Sequence, residues 1–146
     1  MSNFQEKLQY VEEEIGRLYE GQRRRLEGIN DKLVAAVGGT HFCAMPKTSE
    51  ESPAEVAAAN VEALLSYTTR ARRFAMYLNA IQKNRENGTS DEEIFRHVEV
   101  HVTRELMSAA GYMSSQSTSW AVNAERAADL TAFSDIARLF LDVQKV

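Results

Sequence analysis

Cysteine, proline and long hydrophobic runs are all scarce in this sequence. Cys43 is the single cysteine, so no intrachain disulfide can form and a reducing compartment is expected. The two prolines, Pro46 and Pro53, leave the rest of the chain free to form long helices. No apolar run approaches the roughly 18–20 residues that span a bilayer. The first residues also lack the basic and apolar regions of a secretory signal. We therefore expect no membrane association and a cytoplasmic location, or an assembly built in the cytoplasm.

Size and charge narrow the class of protein further. The chain has 146 residues, of which 44% are hydrophobic and 26% charged, which is the composition of one globular domain that buries a core without metals or disulfides. The net charge is −4. This disfavours a protein that coats nucleic acid through bulk positive charge, although a local basic surface stays possible.

Hydrophobic spacing predicts a long first helix over residues 3–37. Phe4, Ile15, Leu26 and Val37 recur every eleven residues, a period that favours a nearly straight helix over a supercoiled one. The first turns also show the heptad spacing that is typical of coiled-coil packing. Two adjacent glycines follow and are expected to end the helix.

Three further helices are predicted by their start signals and apolar stripes. Ser52-Pro53-Ala54-Glu55 combines a serine cap, a proline at the first helical position and a capping box, and predicts a helix over 53–86. A second capping box predicts a helix over 90–110, which Gly111 should end. A serine-rich connector precedes a fourth helix over 119–144. With no strand signal, residues 1–146 are predicted to form one all-α domain, an elongated four-helix bundle built on a long antiparallel helical hairpin.

The predicted helices differ in length, and this mismatch indicates an interface. The first two would each be roughly 50 Å long and the third only about 30 Å. About 18 Å of the hairpin, near the 38–52 loop, would then lack a third-helix partner, and exposed apolar surface of that size is uncommon. Either the loop folds over it or another chain covers it. The candidate interface residues are Leu26, Ile29, Leu33, Val37, Phe42, Val61 and Leu65.

Two local predictions concern packing. In an antiparallel hairpin Gly21 would lie level with Ala71, so we expect it to face Thr68, Ala71 and Ala75 at close range. The alternative is that the helix simply tolerates this glycine at a small cost in stability. Trp120, which follows the serine-rich connector, is predicted to anchor the core at the start of the last helix. The alternative is an exposed hot spot for binding.

Two arginine clusters form a candidate anion-binding belt. In the predicted hairpin they lie at similar heights, where guanidinium groups would suit phosphate or an acidic partner. The alternative is a solvated surface on which these arginines pair with nearby acids such as Glu20 and Glu27. The cluster residues are Arg23, Arg24, Arg25, Arg70, Arg72 and Arg73.

Two of the three histidines have a spacing that can ligate one metal ion. His97 and His101 lie four residues apart on one helix, and Glu93 and Glu105 extend the row by one turn on each side. However, the repeated Glu-x-x-His of di-iron bundles and the His-Glu-x-x-His of zinc proteases are both absent. We therefore expect two partly exposed histidines and no metal or other cofactor.

The segment Arg96-His97-Val98-Glu99-Val100-His101 resembles the Arg-polar-x-x-x-His motif of HEPN ribonucleases. The resemblance covers six residues and implies a dimeric all-helical domain that cleaves RNA across its dimer interface. It would make Arg96 and His101 catalytic and place His97 at the polar position. Thr103 stands where a tyrosine is often found in that family.

Together these features favour a non-enzymatic helical-bundle protein. We expect it to act through protein–protein association, as a structural or adaptor subunit whose partner is another protein or, as a homo-oligomer, itself. The HEPN-like ribonuclease is the alternative function, and a metal-binding helical bundle is the third.

Overall fold

The fold is an all-α four-helix bundle, as the sequence predicts. A computed structural model of the chain describes residues 3–36, 52–115 and 117–145, and no strand occurs in these ranges. The helices in chain order are α1 (Phe4–Ala36), α2 (Pro53–Glu86), α3 (Asp91–Ser114) and α4 (Trp120–Gln144). None of the described helices combines the length and the apolar character needed to cross a membrane.

Serine side chains cap three of the four helices at their first turns. The hydroxyl of Ser52 accepts a hydrogen bond from the backbone N–H of Glu55 at 3.1 Å, and Ser90 accepts one from Glu93 at 3.2 Å. Ser119 caps α4 in the same way. Each bond satisfies a backbone donor that the helix itself leaves unpaired. The predicted starts of the second and third helices are therefore confirmed to within one residue.

The predicted end of the third helix is wrong. α3 continues through Gly111 to Ser114, because a single glycine inside a helix is tolerated at a cost of about 1 kcal/mol relative to alanine. The helix is thus longer than expected, at 24 residues. It is still shorter than α1 and α2, which have 33 and 34 residues. The difference of nine residues from α1 corresponds to about 14 Å of helix length.

α1 and α2 form the predicted antiparallel hairpin. Near the open end of the hairpin, where α2 leads into α3, Arg85 donates hydrogen bonds to both carboxylate oxygens of Glu12, at 3.2 and 2.9 Å. Further along, the Arg25 guanidinium lies over the Tyr67 ring, 5.4 Å from its centroid. Since the residue number rises along α1 as it falls along α2, the two helices run in opposite directions.

The main hydrophobic core lies in one half of this hairpin. It joins α1 and α2 to α3 and α4 through large, fully buried side chains that include Ile15, Phe74 and Phe133. Among the described residues, this main core includes no position between Tyr19 and Phe74. The buried apolar side chains in that stretch, which are Ile29, Ala36, Val56 and Ala71, form no part of it. We call residues 22–36 and 53–71 the distal hairpin, since they lie outside this core.

Gly21 does not mark a close approach of helices, so this prediction is wrong. A Cβ atom built on Gly21 would have no heavy atom within 4 Å. The near-level position of Gly21 and Ala71 along the hairpin does not bring them face to face, because side-chain direction around the helix decides contact. Trp120 is also misplaced by the sequence prediction: it is 51% exposed at the first residue of α4 and is not a core anchor.

Replacing Gly21 by alanine should therefore stabilise the protein. The new methyl group meets open space, and alanine is favoured over glycine inside a helix by about 0.5–1 kcal/mol. Urea denaturation followed by circular dichroism should show a gain of that size in the free energy of unfolding. Gly88→Ala is the matched control, and it should lose stability because Gly88 has φ of 81°, where a side chain is strained. A loss of stability in Gly21→Ala would instead indicate a crowded site.

Candidate functional site

The distal hairpin carries the described part of the predicted interface. Leu26, Leu33 and Leu65 are half-buried, and Val61 is 46% exposed. Ile29 is buried and offers little surface to a partner. Val37 and Phe42, which complete the predicted set, lie outside the described residues, as do His41, Cys43 and Met45.

Val34 also belongs to this surface. It is 40% exposed on α1, one residue after the half-buried Leu33. Leu26 and Leu33 are seven residues apart and share one side of α1, and Val61 and Leu65 are four apart and share one side of α2. We call Leu26, Leu33, Val34, Val61 and Leu65 the hairpin surface. Its apolar side chains alternate between half-buried and exposed, so part of their area still faces water.

Buried polar atoms in and beside the distal hairpin lack partners. Gln22 and Thr69 are 3% and 1% exposed. Within the described part of the chain, neither Oε1 of Gln22 nor Oγ1 of Thr69 has a hydrogen-bond partner. An unsatisfied buried polar group typically costs about 1–3 kcal/mol. The region between the two long helices therefore carries an energetic cost from unpaired polar groups.

Two of the six clustered arginines pair with acidic side chains of α4. Arg73 donates two hydrogen bonds to the carboxylate of Asp129, at 2.8 and 3.3 Å, and this pairing raises the pKa of Arg73 above its ordinary value. Arg70 lies 4.0 Å from the carboxylate of Asp135. These pairs join α2 to α4, so both arginines contribute to the packing of the bundle.

The remaining arginines do not form a single belt. Arg23 pairs loosely with Glu20 and Glu27, at 3.6 Å each, and Arg25 stacks on Tyr67. Arg24 and Arg72 have no acidic partner among the described residues, but they lie on different helices. The anion-binding role of these arginines therefore stays a prediction.

His101 is held by a buried tyrosine. The hydroxyl of Tyr77 and Nδ1 of His101 are 2.8 Å apart, and the two rings meet edge to face at 5.5 Å between centroids. His97, one turn earlier, lines the same shallow pocket of roughly 210 Å³ together with Met76 and Asn84. Pockets that hold cofactors usually have about 300–1,000 Å³, so this one is small.

The geometry around the two histidines does not assemble a metal site. Nε2 of His101 is 4.0 Å from the carboxylate of Glu105. In the part of the chain that the structure describes, no group of three or more histidine, cysteine, aspartate or glutamate side chains is placed to hold a metal ion. What the arrangement provides is a polar contact between α2 and α3 at the edge of the core.

Arg96 and His101 lie apart within one chain. The Arg96 side chain pairs with Glu92 at 3.2 Å and lies 5.0 Å from the centroid of the Phe4 ring. His101 instead turns toward Tyr77 on another side of α3. Both residues are exposed, and within one chain they contact different side chains.

Burial raises the pKa of Tyr77 well above its ordinary value, and the charge of Glu105 adds to this shift while Arg73 opposes it. The folded state therefore keeps the Tyr77 proton at pH values where the unfolded chain loses it. The stability from this group is complete below the ordinary tyrosine pKa of about 10 and is lost above it, at no more than about 1.4 kcal/mol per pH unit.

Tyr77→Phe should remove this alkaline dependence. At neutral pH the variant should lose about 0.5–1.5 kcal/mol of unfolding free energy with its hydrogen bond. Between pH 9 and pH 11, urea denaturation should show a smaller loss of stability with pH than in the wild type. Tyr112→Phe, at an exposed tyrosine, is the control and should follow the wild type. An unchanged slope in Tyr77→Phe would contradict this account.

Comparison with known protein families, curated proteins and solved structures finds no match to this chain.

Sequence reasoning missed two features of these surfaces. The Arg73–Asp129 and Tyr77–His101 contacts join residues 56 and 24 positions apart, and no local spacing pattern indicates such pairs. The exposed apolar side chains of α3 and α4, such as Met107 and Leu141, were also missed. For Met107 the signal is present in the sequence, since it falls off the apolar stripe of its helix. Leu141 instead follows the stripe of the fourth helix, and its exposure appears only in the structure.

Proposed function

We propose that the protein is a non-enzymatic structural subunit that associates with further copies of itself through the hairpin surface. The observation that carries this proposal is the position of the main core. That core ends near Tyr19 and Phe74, while the two long helices continue for a further 17 residues in α1. The hairpin surface on this extension leaves Val34 and Val61 nearly half exposed.

The energetics support the same proposal. Complete burial of a valine or leucine side chain contributes about 1.5–3 kcal/mol relative to exposure. Covering the remaining exposed area of five such side chains would add several kcal/mol by the same rule. That is comparable with the whole stability of a typical domain, at about 5–15 kcal/mol. A second copy that packs its own distal hairpin against this one would provide the cover.

Thermal unfolding measured at several protein concentrations tests the proposed self-association. Because association stabilises the folded state by mass action, the melting temperature should rise with protein concentration over a hundredfold range. A melting temperature that is independent of concentration over that range would contradict self-association. The measurement needs no knowledge of any other partner.

A further inference from the structure

The most exposed apolar side chains lie outside the hairpin surface. Among the described residues, eight large hydrophobic side chains are exposed. Only two of them, Val34 and Val61, belong to the distal hairpin. The other six lie on α3 and α4, and Met107 is the most exposed of all at 70%. Self-association through the hairpin surface does not account for them.

α3 and α4 pack side by side in opposite directions. The Phe95 and Phe140 rings meet on the core side of their seam, with centroids 4.9 Å apart. On the outer side, Nε2 of Gln144 donates to the Glu99 carboxylate at 2.9 Å. Near the other end, Arg126 donates to the backbone carbonyl of Ser115 at 2.8 Å. These contacts fix the register of the two helices.

Three exposed apolar residues lie on the solvent-facing sides of these two helices. Val100 and Met107 are seven residues apart and share one side of α3; they are 46% and 70% exposed. Leu141, 58% exposed, is three residues before Gln144. With Glu99 opposite Gln144, Leu141 falls at a height between Val100 and Met107. We call Val100, Met107 and Leu141, together with Arg104 and Arg138, the α3–α4 face.

Two arginines without acidic partners complete this face. Arg104 lies between Val100 and Met107 on α3, and Arg138 lies one turn before Leu141 on α4. The register places them within about one residue of the same height. Both are exposed, and neither has an ion pair or hydrogen bond to another described side chain. A chain with a net charge of −4 thus places unpaired positive charge beside its most exposed apolar side chains.

We propose that the α3–α4 face binds an acidic amphipathic helix of a partner protein. Two adjacent helices form a groove in which a third helix can lay an apolar stripe. That stripe would cover Val100, Met107 and Leu141, and glutamates beside it would pair with Arg104 and Arg138. A second copy that docked the same face symmetrically would oppose arginine to arginine, and such like-charge contacts are unfavourable.

A model peptide provides the test. The probe is a fluorescein-labelled helix of about 18 residues with leucine at every third or fourth position and glutamate on both sides. Fluorescence anisotropy at low salt should show saturable binding to the full chain. Arg104→Glu combined with Arg138→Glu should weaken binding at least tenfold, because two attractive contacts become repulsive. Met107→Asp should weaken it to a similar extent by placing a charge in the apolar contact.

Matched controls separate this face from general electrostatics. Arg72→Glu changes an exposed arginine on α2 and should leave peptide binding within twofold of wild type. The same peptide with lysine in place of glutamate should not bind. The proposal is overturned by absent binding of the acidic peptide or by equal loss in Arg72→Glu. It is also overturned if phosphatidylserine vesicles bind the protein while the acidic peptide does not, since the face would then suit a lipid surface.

This inference concerns a different surface from the proposed function, so each can fail alone. Leu33→Asp combined with Val61→Asp should bind the acidic peptide as the wild type does. If that variant lost both self-association and peptide binding while keeping its helical content, the two surfaces would not be independent, and the α3–α4 assignment would be wrong.

Discussion

Replacing Leu33 and Val61 together by aspartate should convert the protein into a smaller species that is still helical. Val61 is 46% exposed and Leu33 is half-buried, and neither belongs to the main core. Charges at these positions cannot be buried against another copy without a large desolvation penalty. Multi-angle light scattering should show the loss of mass, and circular dichroism should show the retained helix content.

The competing explanation makes a different prediction for the same variant. If the protein's own 38–52 segment covers the hairpin surface, the oligomeric state should stay fixed while the melting temperature falls. Leu141→Asp is the matched control. Leu141 is 58% exposed on α4, whereas the hairpin surface lies on α1 and α2. It should leave the oligomeric state of the wild type unchanged.

Phe74→Ala should have the largest effect on folding. Phe74 is fully buried on α2 and belongs to the core that joins all four helices. Truncating a buried phenylalanine typically costs about 3–5 kcal/mol, because apolar burial is lost and a cavity remains. Urea denaturation should show a loss of that size. Met107→Ala, at a 70% exposed position, should change stability by no more than about 0.5 kcal/mol.

A small effect of Phe74→Ala would contradict the position of the core. It would mean that the part of α2 around Phe74 contributes little to the free energy of unfolding, and that other parts of the bundle supply most of it. Equal losses in Phe74→Ala and Met107→Ala would contradict the burial of the first and the exposure of the second.

The helix starts could be predicted because their signals are local. Ser52, Ser90 and Ser119 each accept a hydrogen bond from a backbone N–H three residues later, and this spacing can be read directly from the sequence. The end of the third helix could not be predicted from Gly111. A glycine ends a helix only when the residues around it also favour a non-helical backbone. α3 instead continues for three more residues.

Contacts between helices were harder to predict than the helices themselves. The position of Gly21 along the hairpin axis could be predicted from the helix lengths. The side of α1 on which it lies relative to α2 could not, because that depends on how the two helices pack. For the same reason the Arg73–Asp129 pair and the exposure of Trp120 appear only in the structure. The hairpin interface residues stay a prediction, and the exposed apolar side chains of α3 and α4 were not part of it.

Sedimentation equilibrium of the wild-type protein is the most direct test of self-association through the hairpin surface. Across a wide range of protein concentration, we predict an average mass above that of one chain, with a fit to a reversible oligomer. The Leu33→Asp, Val61→Asp variant should give the mass of one chain over the same range. A wild-type mass equal to one chain at every concentration would contradict the account.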